Sequence, residues 1–67
     1  MKLSKKDIKT LVSCGRLSGM PKGTYVAGYV DYDEWYYPIR NLDALCHTGI
    51  ECELVALGDT DFYLRFI

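Results

Sequence analysis

Two runs of strictly alternating side chains close this chain, and their phase leaves little freedom in how they pair. Ile50, Cys52, Leu54 and Ala56 alternate with Glu51, Glu53, Val55 and Leu57. After Gly58-Asp59-Thr60, Phe62, Leu64 and Phe66 alternate with Asp61, Tyr63 and Arg65. Period two is the mark of a strand with one buried face. A slip of one residue would turn every apolar side chain of one run to solvent, so the two rows align only across an odd number of loop residues. The three-residue loop Gly58–Thr60 meets that condition and sets Glu53 opposite Arg65 on the outer face.

Upstream the period changes. Ser4 followed by Asp7 is an N-cap with an acid in the first turn, and Gly15 stands where a left-handed residue would end a helix. Between them, over Lys5–Cys14, a turn of roughly 100° per residue groups Leu3, Ile8, Leu11 and Cys14 on one side. Lys2, Lys5, Lys6, Lys9 and Ser13 fall on the other. Leu17–Gly23, with two glycines and Pro21, reads as a loop. Tyr25–Val30 favours a strand with Gly28 as a bulge or close-approach point, Asp31–Glu34 a polar reversal, and Trp35–Ile39 a second strand in which Pro38 must lie at an edge or at a strand end. Asn41 is expected to cap a short helix over Leu42–His47 that Gly49 stops. The order is α-β-β-α-β-β in one compact domain spanning residues 1–67. The simplest α+β architecture for it is an antiparallel sheet of two hairpins with both helices on its apolar face.

At 67 residues the core is small; such a chain buries roughly 60% of its extended-chain surface. The longest uncharged run, Gly23–Val30, is far short of the roughly 20 apolar residues of a membrane-spanning helix, and Asp7 and Lys9 interrupt any signal-like start. Three cysteines, Cys14, Cys46 and Cys52, are an odd number without a CxxC pair, which points to free thiols and a reducing, cytoplasmic setting.

Charge is sorted by position. Residues 1–23 hold Lys2, Lys5, Lys6, Lys9, Arg16 and Lys22 against Asp7 alone, a surplus of five. The rest hold Arg40 and Arg65 against eight carboxylates, a deficit of six, so the net charge of −1 hides a strongly dipolar molecule. Two surfaces compete as the functional one. The first is acidic and aromatic: Asp31, Tyr32, Asp33, Glu34, Trp35 and Tyr36 combine rings that bury large area at little entropic cost with carboxylates suited to a basic protein. The second is the basic set Lys2, Lys5, Lys6, Lys9 and Arg16, which could neutralise nucleic-acid phosphates. Against nucleic acid stand a pI of about 5.6 and three carboxylates among the rings where base stacking would want cations. The lysines also fit an ordinary solvated helix face.

Other chemistries are weaker. Cys14, Cys46, His47 and Cys52 lack metal-knuckle spacing, and Cys46 or Cys52 with His47 has no orienting acid for nucleophilic catalysis. Asp31/Asp33/Glu34 and Asp59/Asp61 sit in reversals, where Asp bonds its own backbone without a metal. Gly15, Gly19 and Gly23 do not form a phosphate loop. No cofactor or metal is expected. The expectation is a non-enzymatic inhibitor or adaptor, of the kind carried by phages and mobile elements, that binds a basic protein surface through the acidic-aromatic hairpin. A homodimer is compatible with it. A nucleic-acid-binding domain is the alternative, and a Cys/His enzyme the third reading.

Overall fold

A computed structural model describes residues 1–17, 20 and 22–67. The first helix, α1 (Lys5–Cys14), begins and ends as its sequence dictates. Ser4 and Asp7 form a reciprocal capping box, and Gly15 (φ 73°) closes the helix by donating its N–H to the Leu11 carbonyl. Such a box satisfies two of the orphan N–H groups that every helix start leaves. Ile8 and Leu11 face inward and are fully buried. Cys14 does not join them. It is exposed on the last turn, its thiol bonding back to the Thr10 carbonyl, so the apolar stripe is buried only as far as Leu11. The loop expected over Leu17–Gly23 lies partly outside the described residues.

The four strands are β1 (Tyr25–Val30), β2 (Tyr36–Pro38), β3 (Cys52–Ala56) and β4 (Asp61–Phe66), arranged in space as β2-β1-β4-β3. Both hairpins form. The last has the register its phase demands, with Glu53 opposite Arg65 and Leu54 opposite Leu64. The sheet, however, is mixed and not antiparallel, because β1 and β4 run side by side in parallel with Val26 next to Phe62 and Val30 next to Arg65. The reason lies in the connection. Thirteen residues, 39–51, separate β2 from β3, about the length a crossover requires. They carry the chain over the apolar face and return it to the end of the sheet where β1 finished. The second hairpin therefore starts in the same direction as β2, which makes its inner strand parallel to β1.

That crossover is also built differently from its expected Asn41-capped helix. Ile39–Asn41 form one 3₁₀ turn, Leu42 is extended and buried, and α2 (Ala44–His47) starts at Asp43, whose carboxylate accepts from the Leu45 N–H at 2.8 Å. Anchoring Leu42 in the core breaks the helix at the position where Asn41 would have begun it, and Asp43 supplies the next available cap. Strand β2 is shorter than Trp35–Ile39: Trp35 belongs to the reversal and Pro38 ends the ladder, as a residue without an N–H must.

The core lies between one sheet face and the helical layer. Leu3, Ile8, Leu11 and Leu42 meet Val26, Tyr29, Cys52, Leu64 and Phe66, with Ile50, Leu54 and Tyr37 packed around them. Residues preceding α1 extend this layer to the sheet edge: Lys2 bridges Glu51, and the Cys52 N–H donates to the Met1 carbonyl at 2.6 Å. The opposite sheet face is uncovered. On it, the Tyr36 ring lies across Gly28 and meets Tyr63 edge-on at 6.2 Å between centroids.

One reversal holds a strained residue. Between β1 and β2 the Glu34 N–H donates to the Asp31 carbonyl at 3.0 Å and the Asp31 N–H to the Trp35 carbonyl at 3.3 Å, with Glu34 at φ 65°. This is a three-residue loop whose last position is left-handed, normally a glycine site. Glu34→Gly should relieve the clash that a Cβ suffers there and stabilise the chain by about 0.5–1 kcal/mol, read as a higher denaturant midpoint at unchanged slope. A drop in the midpoint would mean that the carboxylate contributes more than the strain costs.

Candidate acidic-aromatic hairpin site

The β1–β2 reversal projects the aromatic residues singled out in the sequence. Asp31 organises it. One carboxylate oxygen accepts from the Asp33 N–H at 2.9 Å and the Trp35 N–H at 3.3 Å, the Asx geometry that gives Asp its preference for turns. Burial first, and then the neighbouring Asp31 carboxylate, push the Tyr37 phenol's pKa up. Asp31 is therefore engaged within the hairpin, whereas the side chains around it face outward. Tyr32 is 60% exposed, Trp35 68% and Tyr36 48%. Asp33 and Glu34 are exposed between them.

Behind the tip, aromatic packing stiffens the base. Tyr29 stacks on Tyr37 at 5.3 Å between centroids and contacts Phe66 at 5.6 Å, and its hydroxyl donates to the Asn41 carbonyl at 3.2 Å. His47 stacks on Phe66 at 4.7 Å. Tyr32 leans toward the same ring at 6.2 Å, while Trp35 lies outside this cluster. Alternation along Trp35-Tyr36-Tyr37 places Tyr37 on the core side and Tyr36 on the open face, but Trp35 does not reach the core because it precedes the ladder. Large exposed rings on a rigid turn are the type of group that anchors protein interfaces.

Sequence reasoning missed how the open sheet face continues this surface. Val30, Glu34, Tyr63 and Arg65 line a shallow depression of about 280 Å³. The Arg65 guanidinium approaches the Glu34 carboxylate at 3.9 Å. The register of the last hairpin puts Arg65 on this face, but only the parallel β1–β4 contact brings Val30 and Glu34 beside it. No periodicity within either segment carries that information.

The competing basic set is not gathered with the hairpin. Lys2, Lys5, Lys6, Lys9 and Arg16 are all exposed, and among the described residues none of them forms an ion pair. Cys46 and His47 sit on α2, where the His47 Nδ1 lies 3.0 Å from the Asp43 carbonyl and the ring packs on Phe66. Among the described residues no group of three His, Cys, Asp or Glu is placed to hold a metal ion. No described helix is long and apolar enough to cross a membrane.

The three thiols are free, with Cys14 and Cys46 exposed and Cys52 buried between Met1 and Phe66. Burial pushes the Cys52 thiol pKa up; the terminal ammonium pulls it part of the way back, and Glu51 adds a still smaller upward push. Since the thiolate is the nucleophile, a maleimide at neutral pH should label two thiols rapidly and the third only on unfolding. Three equally fast labels in the native protein would show that Cys52 is not in the core.

No family model matches the chain, and neither a curated protein nor a solved structure resembles it at a significant level.

Proposed function

We propose that the chain is a non-enzymatic binding protein, an inhibitor or adaptor, that engages a basic protein surface through the acidic-aromatic hairpin. The observation that carries this reading is the exposure of Tyr32 and Trp35 on one short reversal, with Tyr36 half-exposed at the start of β2 next to it. Leaving such large rings largely in water forgoes hydrophobic stabilisation that a 67-residue chain has little of. Cationic side chains of a partner would be drawn to Asp33 and Glu34 and packed over the rings, where cation–π attraction adds to burial. The cytoplasm is the compartment this reading implies for the three free thiols.

The test uses an arginine-rich peptide as the basic probe, with Trp35, the only tryptophan, as the fluorescent reporter in the parent. Trp35→Ala and Tyr36→Ala, read by anisotropy of a labelled peptide, should each weaken binding by about 2 kcal/mol, some thirtyfold. Equal affinities of parent and both variants would remove the hairpin from the interface.

A further inference from the structure

Among the described residues, no ion pair joins the lysine face to the acidic hairpin. The described ion pairs are the terminal ammonium with Glu51 at 3.2 Å and Arg65 with Glu34 at 3.9 Å, and no lysine takes part in either. The segment leading into α1 is tied to Ile50 and Cys52 beside β3, and α1 then crosses to the start of β1, where the Gly15 carbonyl accepts from the Val26 N–H at 2.6 Å. The hairpin rises from the other end of β1, beyond Val30. Among the described residues Lys5, Lys6, Lys9 and Asp33 have no ion-pair partner in their own chain, and Glu34 meets Arg65 only at 3.9 Å on an exposed surface. The basic surface the hairpin is suited to is present on every copy of the molecule, and a net charge of −1 leaves little overall repulsion between copies.

Resting on the hairpin reading above, we propose that the partner of this hairpin is a second copy of the chain: Asp33, Glu34 and Trp35 of one molecule dock on the Lys5, Lys6 and Lys9 face of α1 in another. The two patches differ, so the contact is heterologous. Every dimer still carries one free hairpin and one free lysine face, and association continues head to tail instead of stopping at two. Carboxylate–ammonium attraction across this contact is exposed at its rim and therefore sensitive to salt. The Debye length falls from about 30 Å at 0.01 M to about 3 Å at 1 M ionic strength.

Sedimentation of the 67-residue chain from micromolar to millimolar concentration tests this. At low salt the weight-average mass should rise past that of a dimer, and at 1 M salt it should return to the monomer. Lys5→Gln/Lys6→Gln/Lys9→Gln and Asp33→Asn/Glu34→Gln should each be monomeric alone, with unchanged circular dichroism. Mixed in equal amounts they should form a one-to-one dimer that grows no further, because one supplies the only intact hairpin and the other the only intact lysine face. Trp35→Ala, which changes no charge, should also lower the association severalfold. A parent that stays monomeric at low salt overturns the proposal, and so does association that survives in either charge variant. If the monomeric parent still binds the arginine-rich peptide through Trp35, self-docking fails while the hairpin reading stands. Loss of both would remove the hairpin reading as well.

Discussion

Leu64→Ala should leave this protein largely unfolded at room temperature. Leu64 is fully buried at the centre of the sheet, on a strand flanked by β1 and β3, with Tyr29 beside it on one side and Leu54 on the other. Truncating such a leucine removes its burial energy and leaves a cavity, together about 2–5 kcal/mol. A core of this size supplies about 3–5 kcal/mol at most, so the loss is comparable with the whole stability. Urea unfolding followed by circular dichroism would show little or no native baseline. In a domain this short each kcal/mol moves the melting temperature by about 4–8 °C. A variant melting within a degree of the parent would mean that Leu64 does not face the helical layer.

Gly28→Ala should cost nearly as much, for a different reason. A Cβ at Gly28 would lie 2.5 Å from the Tyr36 hydroxyl and 2.6 Å from the adjoining ring carbon, and closer still to the Tyr37 backbone carbonyl. Gly28 borders the irregularity where β1 shifts register against β4. A tyrosine can rotate away, but a carbonyl in a β-ladder cannot move without loosening β2. The cost should fall near the upper end for overpacking, about 3 kcal/mol. Adding Tyr36→Ala should recover part of this, since one of the two obstacles is a side chain, and the residual loss measures the carbonyl clash. Full recovery in the double variant would show that the backbone is not what excludes a side chain here.

These two positions differ in how readable they are. Leu64 lies in a run whose alternation gives its face directly, and the Gly58–Thr60 loop fixes the phase of its partner strand. The capping box of α1 and its Gly15 terminus are equally local and equally visible. Strand order is not local. The parallel contact of β1 with β4 depends on the crossover returning to a particular end of the sheet, and nothing in the period of either strand encodes that. The start of α2 is not local either: Asn41 and Asp43 are both good caps, and the choice between them follows from burying Leu42. Cys14 matches the apolar stripe by angle, but angle alone does not say whether another element covers the last turn, and Cys14 is exposed. At the site, the aromatic and acidic composition was legible, and so was the turn-forming role of Asp residues. The left-handed backbone of Glu34 and its approach to Arg65 were not, since a three-residue loop with glutamate at its glycine position has no sequence signal.

In the proposed function a basic partner meets the acidic-aromatic hairpin, and nucleic acid is not what the lysine face of α1 binds. One matched set tests it: the parent, Lys5→Gln/Lys6→Gln/Lys9→Gln, and Asp31→Asn/Asp33→Asn/Glu34→Gln. The first substitution of the acidic triple keeps a side-chain oxygen that can accept the two N–H bonds holding the turn. Each protein is titrated against the arginine-rich peptide and against single-stranded DNA across a range of salt, at concentrations low enough to be monomeric. The parent should bind the peptide tightly and the DNA not at all, and peptide binding should be lost in the acidic triple and kept in the lysine triple, with slower association as the carboxylates are removed. Binding of the DNA that disappears in the lysine triple, with a flattened dependence on salt, while the acidic triple binds as well as the parent or better, would contradict it.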